Sequence, residues 1–90
     1  MNLERIVWED PCGFAEWQTQ EDIAELKPAE CVTVAYVIRE DDRVIVTAAS
    51  HSAVGKEMSY ADVTVLPKGC IINRTLVEIK EKGQQDGVGR

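Results

Sequence analysis

The chain has 90 residues, a hydrophobic fraction of 44% and a formal net charge of −6. This length fits a single domain near the small end of what folds without a metal or a disulfide framework. No apolar run approaches the roughly 20 residues that a membrane-spanning helix needs, and the first residues match neither a signal peptide nor a transit peptide. We therefore expect a cytoplasmic protein with one globular domain over residues 1–80 and a polar, Gly-rich flexible tail over residues 81–90.

The charge is unevenly distributed along the chain. Residues 1–42 carry eleven acidic and three basic side chains, whereas residues 43–90 carry five acidic and seven basic side chains. An acidic first half argues against direct binding to duplex DNA, which requires a basic face. The mildly basic second half favours an anionic small molecule, although charges that only solvate the surface are the simpler interpretation.

The first predicted element is a strand over residues 3–8. Pro11 and Gly13 then mark a turn over residues 9–13, because proline lacks an amide donor and glycine permits unusual dihedral angles.

A short helix is predicted next. Thr19 is placed to cap it, because its hydroxyl can accept a hydrogen bond from the amide of Asp22. Pro28 ends this helix after about two turns, a length that is not stable by itself in water. We therefore expect the helix to pack on a sheet through Ile23, Leu26 and a tryptophan indole.

The central stretch, residues 31–50, predicts a β-hairpin. Two runs rich in Val, Ile, Thr and Tyr flank an acidic tip, and both faces of the strands carry apolar residues. A two-residue loop at Asp41 and Asp42 places Glu40 opposite Arg43, and a three-residue loop is the alternative.

The second half predicts a loop over residues 51–57, strands over residues 58–66 and 71–79, and a tight turn between these strands at residues 67–69. The fold class that follows is mainly β: a small five-stranded, strongly bent sheet or SH3-like barrel, with one short helix between strands 1 and 2. A flat two-layer α+β arrangement is the alternative. One short helix covers little of such a sheet, so we expect a homo-oligomer formed through an open strand edge.

The sequence contains no pattern that is typical of catalysis or metal binding. The three cysteines are far apart and a single histidine accompanies them, which argues against a zinc site. Cys31 and Cys70 are expected to be small buried side chains, and Cys12 an exposed thiol. Neither a phosphate-binding loop nor a nucleophile elbow is present. We therefore predict a non-enzymatic protein with no cofactor.

Two candidate surfaces remain. An anionic, nucleotide-like ligand is expected to contact an indole together with loop and basic side chains: Trp17, His51, Lys56, Tyr60, Lys68 and Arg74. A protein partner is expected to contact the other indole and the acidic tip: Trp8, Glu40, Asp41 and Asp42. The simpler interpretations are that the two tryptophans fill the core and that the tip is solvated.

Several segments together resemble a group of small uncharacterised proteins of tailed phages and prophages. The similarity covers roughly residues 3–79 and rests on residues 7–10, on Trp17 before an acidic helix, on residues 34–41 and on residues 66–71. Ala35 departs from the glycine expected at that position. The resemblance implies an accessory protein that binds and neutralises a host factor. That factor is either a host protein or a nucleotide-type signalling molecule of a defence system. The alternatives are an acidic interaction module or nucleic-acid mimic, and a minor virion or assembly component.

Overall fold

A computed structural model of the protein describes residues 1–79, in which five strands form one antiparallel sheet in the order β4-β3-β2-β1-β5. The elements in chain order are β1 (Asn2–Asp10), α1 (Gln20–Ala24), β2 (Ala29–Glu40), β3 (Val44–Val54), β4 (Glu57–Pro67), a 3-10 turn (Lys68–Cys70) and β5 (Ile71–Leu76). The prediction of a mainly β, five-stranded domain with one short helix between the first two strands is confirmed. The flexible tail predicted at residues 81–90 lies outside the described residues.

The sheet is bent without closing into a barrel. Pro67 at the end of β4 and Ile71 at the start of β5 are four residue steps apart, which span at most about 14 Å. Four strand spacings in a flat sheet amount to about 19 Å. The sheet must therefore curl to bring its two edges closer together. Because β4 and β5 do not pair within residues 1–79, the strands form an open bent sheet rather than a closed SH3-like barrel.

The core lies on one face of the sheet, which we call the inner face. It consists of Ile6 from β1, Ile45 from β3 and Leu66 from β4, whose exposed fractions are 0%, 0% and 2%. Trp8, Val37 and Ile71 are partly buried against them. This core is small for the length of the chain, so much apolar surface stays in contact with solvent.

The opposite face, which we call the outer face, is also apolar. Tyr36 lies opposite Ala48, and Ala48 lies opposite Val63, so all three side chains share this face. Alternation along β2 and β4 adds further residues. Four valines on this face are each slightly more than half exposed: Val32, Val34, Val63 and Val65.

The turn of the central hairpin differs from both predicted loops. Glu40 lies opposite Ile45 and not opposite Arg43. The carboxylate of Asp41 accepts hydrogen bonds from the amides of Arg43 and Val44, each at 2.8 Å. These hydrogen bonds from the backbone to the Asp41 side chain favour this turn over the alternatives. The alternation of side chains along the strands does not predict such hydrogen bonds.

The prediction of a loop over residues 51–57 is wrong. β3 and β4 stay paired as far as Val54 and Glu57, so only Gly55 and Lys56 form the turn. Gly55 has a φ of +66° at the first of the two turn positions, where a type II′ hairpin turn uses glycine. The Ser, His and Ala residues before it have little strand propensity, and the hydrogen-bonded ladder imposes the strand on them.

The outer half of this hairpin, residues 49–62, forms a projection that we call the β3–β4 arm. Pairing between β2 and β3 ends at Tyr36 and Ala48, so the arm is paired only within itself. Every residue of the arm is exposed. The radius of gyration is 18.7 Å, compared with about 12 Å for a compact domain of this length.

Helix α1 is capped as predicted but does not pack on the sheet. Thr19 Oγ1 accepts from the amide of Asp22, and the Asp22 carboxylate accepts from the amide of Thr19, each at 3.1 Å. Ile23 and Leu26 are 55% and 43% exposed, so the packing predicted for them is wrong. β1 and β2 remain paired up to Asp10 and Ala29, which places the helix beyond the ends of these two strands.

Candidate functional site

The structure separates the six residues predicted to bind an anionic ligand into three places. Trp17 lies in the segment between β1 and β2, residues 11–28, which we call the β1–β2 connection. His51, Lys56 and Tyr60 lie on the β3–β4 arm. Lys68 and Arg74 come after β4 in the chain, so the eleven residues of this strand separate them from the turn at the tip of the arm.

Lys68 and Arg74 belong to an ion cluster with Glu4 and Glu40. Arg74 donates to both carboxylates in a bidentate manner, at 2.7 and 2.9 Å to Glu4 and at 2.9 Å for both bonds to Glu40. Lys68 Nζ lies 2.7 Å from Glu40. The two positive charges are therefore matched by two negative charges, and the cluster joins β1, β2 and β5 electrostatically.

The ion cluster holds Glu40 and Arg74 in their charged forms. Hydrogen bonds from Arg74 and Lys68 lower the pKa of Glu40 from 4.5 to about 2. The same contacts with Glu40 and Glu4 raise the pKa of Arg74 above its ordinary value. A buried carboxylate is stable only when it is paired, which explains why Glu4 can be 7% exposed on the inner face.

On the arm, two of the predicted ligand residues are brought together. His51 lies directly opposite Tyr60 across the strand pair, and the two line a shallow cleft of about 150 Å³ with Ser50, Ser52 and Ser59. The His51 ring also packs against the Tyr36 ring in a T-shaped arrangement, with centroids 5.0 Å apart and an interplanar angle of 77°. Pockets for small molecules commonly measure about 300–1,000 Å³, so this cleft is too small to enclose a nucleotide.

The β1–β2 connection presents the most exposed aromatic side chain of the described residues. Trp17 is 101% exposed, and Phe14 is 54% exposed. At the base of the connection, Cys12, Phe14 and Leu26 help to line an open cleft of about 340 Å³. Residues 9–30 carry seven acidic side chains and one basic side chain, a net charge of −6. This segment thus combines apolar side chains with strong negative charge.

The residues predicted to contact a protein partner are also separated. Trp8 is half-buried against the core, and its indole N–H donates to Thr33 Oγ1 at 2.9 Å. Glu40 is engaged by the ion cluster, and Asp41 by its own turn and by Arg39 at 3.1 Å. The backbone amides of Val44 and Arg43 lower the pKa of Asp41. Asp42 is exposed at the tip.

Sequence reasoning missed Glu4 and predicted a deeper burial for Cys31 and Cys70 than the structure shows. Glu4 precedes Ile6 and Trp8 at alternate positions, and this spacing already indicates that all three side chains point to one face of β1. Cys31 is half-buried rather than buried, as is Cys70, and Cys12 is exposed as predicted.

No family model matches the chain, and neither a curated protein nor a solved structure shows significant similarity to it. Among residues 1–79, no three His, Cys, Asp or Glu side chains are grouped so that they could hold a metal ion. Within the same residues, no helix has the length and apolar character needed to cross a membrane.

Proposed function

We propose that this protein is a non-enzymatic binding protein that captures a protein partner through the β1–β2 connection, with Trp17 as the anchor. The observation that carries the proposal is the complete exposure of the Trp17 side chain. Tryptophan is strongly enriched among the few residues that dominate binding energy at protein interfaces. Leaving an indole in water is unfavourable, and a partner that buries it recovers the hydrophobic free energy.

The surroundings of Trp17 define the chemistry of the partner. Phe14, Ile23 and Leu26 add apolar surface to the same connection, and all of them are more than 40% exposed. The net charge of −6 over residues 9–30 attracts a surface with basic residues. The partner that fits is a protein with an apolar groove whose rim carries Lys and Arg. In line with the resemblance to phage and prophage proteins, we propose that it is a host protein and that capture neutralises it.

The test is affinity capture from a bacterial host lysate, followed by titration calorimetry with the identified partner. We expect Trp17→Ala to weaken binding at least about 30-fold, the equivalent of a 2 kcal/mol hot spot. The matched control is Leu76→Ala, which removes an apolar side chain that is 64% exposed at the opposite end of β1 and should bind like the wild type. Because Trp17 makes no buried contact, its removal should leave the melting temperature unchanged. Equal affinity of the wild type and Trp17→Ala would refute the proposal.

A second candidate function is sequestration of a nucleotide-type signalling molecule, which is favoured by the pairing of His51 with Tyr60 on the arm. Its weakness is that Lys68 and Arg74 are already neutralised by carboxylates. A ligand bound only by the native state raises stability by about 2.7 kcal/mol at a hundredfold excess over Kd. Thermal-shift measurements with cyclic and linear nucleotides test this directly, and an unchanged melting temperature rejects it.

A further inference from the structure

One edge of β2 is left open along its first half. Residues 29–35 pair with β1 on one side, whereas pairing with β3 on the other side begins only at Tyr36. Natural sheets protect such edges with lysines, prolines or bulges, because unpaired backbone groups readily add another strand. Within this open segment Glu30 is the only charged residue, and Val32 and Val34 are half exposed.

The β3–β4 arm has the complementary shape. Apart from Ala49, its residues 49–54 are paired with β4 on one side, and within the described residues they pair with no strand on the side that faces β2. This strand has six residues and the open segment of β2 has seven. An isolated two-stranded hairpin is only marginally stable in water, so the arm requires a further surface to pack against.

The arm also turns away from its own β2. Asp62, which lies on β4 where the arm begins, has a φ of +55°, a left-handed conformation that is costly for a residue other than glycine. Strained backbone of this kind persists where the surrounding structure requires it. Pairing with β2 ends at the level of Asp62 and the molecule is 63 Å long, so the arm extends outward, with the His51 ring in contact with Tyr36 of its own β2.

The end of the open segment carries an unfavourable charge pair. Glu9 and Glu30 lie directly opposite each other and both are exposed. Like charges in this arrangement destabilise a sheet. If the ladder that pairs Tyr36 with Ala48 is continued along β2, Val54 comes opposite Glu30. Lys56 at the tip of the arm then lies within reach of both carboxylates.

We propose that two copies of this chain exchange their arms, so that residues 49–54 of each copy add as an antiparallel strand to residues 29–35 of β2 in the other. Lys56 then lies beside Glu9 and Glu30 of the second copy. Each chain carries both the open edge and the strand that fills it. A dimer with two-fold symmetry therefore fills the open edges of both copies with the same contact. Each arm adds about six backbone hydrogen bonds, and the resulting total of roughly twelve is in the range of a typical interface.

Light scattering coupled to size-exclusion chromatography tests the assembly. The monomer mass is 10.0 kDa, so the wild type should elute with a mass of about 20 kDa. Lys56→Glu should weaken the dimer at least about tenfold in Kd, and adding Glu30→Lys to it should restore the dimer, since the charge pair is then reversed. Arg43→Glu, a matched charge reversal in the turn of the central hairpin, should have no effect. A wild-type protein that stays monomeric at high concentration overturns the proposal.

A disulfide tests the pairing itself. In the continued register, Ala53 lies opposite Cys31, and neighbouring strands hold Cα atoms at a distance that a disulfide can span. Ala53→Cys in a Cys12→Ser background should give a covalent dimer on mild oxidation, and a further Cys31→Ser change should abolish it. A disulfide within one chain would show that the arm closes on its own β2. A dimer that neither cross-links nor responds to the charge reversal uses a different surface. Either result overturns arm exchange.

This interface does not include Trp17 or the other apolar side chains of the β1–β2 connection, and it shares only Glu9 and Glu30 with the acidic segment, residues 9–30. Trp17→Ala should remain dimeric and lose binding to the partner. Lys56→Glu should lose the dimer and keep binding to the partner. The two proposals therefore fail separately.

Discussion

Replacing Arg74 by methionine is the most informative perturbation of the fold. Arg74 donates two hydrogen bonds to Glu4 at 2.7 and 2.9 Å, and the side chain of Glu4 is only 9% exposed. Arg74→Met keeps much of the aliphatic volume and removes the positive charge. A nearly buried carboxylate is then left without its partner.

The magnitude follows from the burial of the pair. Removing one member of a fully buried ion pair costs about 3–5 kcal/mol. The side chain of Arg74 is 28% exposed, so water can partly replace it, and we expect a loss of about 2–3 kcal/mol. A domain of this length has a total stability of about 5–13 kcal/mol. The loss corresponds to a melting temperature lowered by about 10–20 °C.

Urea denaturation at a fixed protein concentration measures this loss, because any association makes stability depend on concentration. If the cost arises from the unpaired charge, adding Glu4→Gln to Arg74→Met should recover half of the lost free energy or more. Glu40→Gln alone should cost less than Arg74→Met, since Glu40 is partly exposed. A loss below about 1 kcal/mol for Arg74→Met, or no recovery in the double variant, would refute the reasoning.

Three further predictions concern single residues. Trp8→Phe removes the hydrogen bond to Thr33 and should lower the free energy of unfolding by about 1 kcal/mol in urea, whereas Trp17→Phe should leave it unchanged. Glu40 has a folded pKa of about 2 against an ordinary 4.5, so its contribution is complete above about pH 4.5 and is lost as the pH falls toward 2. Glu40→Gln should therefore flatten the decrease in stability between pH 5 and 2, and an unchanged slope would contradict this assignment. Gly55→Ala places a side chain at a φ of +66° and should destabilise the arm turn by about 1–2 kcal/mol, seen as faster amide hydrogen exchange in the arm. Since no atom lies within 4 Å of the added Cβ, equal exchange rates would show that the turn adapts at little cost.

The fold class was predictable because its signals are local. The Val- and Ile-rich runs on both sides of Glu40 indicate strands by alternation, and Thr19 with Asp22 indicates a helix start by spacing. For the two hairpin turns that were predicted wrongly, the deciding feature was also local, but it lay outside these patterns. The carboxylate of Asp41 fixed the turn of the hairpin, and Gly55 allowed two weak strand segments to continue.

The candidate sites were harder to predict, because they depend on which strands become neighbours. Lys68 and Arg74 were expected to attract an anionic ligand, and the sheet order instead brought them to Glu4 and Glu40. Sequence reasoning also left open which tryptophan is exposed. Trp8 continues the core alternation of Ile6, whereas Trp17 follows the end of the β1–β2 pairing and so lies beyond the sheet.

The sequence by itself determined the strand-forming runs, the capped helix start and the acidic character of the first half, since these depend only on neighbouring residues. Only the tertiary structure decided that β3 leaves β2 after Ala48, that residues 29–35 keep an open edge and that Glu4 is buried with Arg74. The physical reason is that pairing and charge neutralisation join residues up to 70 positions apart, and no local pattern specifies that distance.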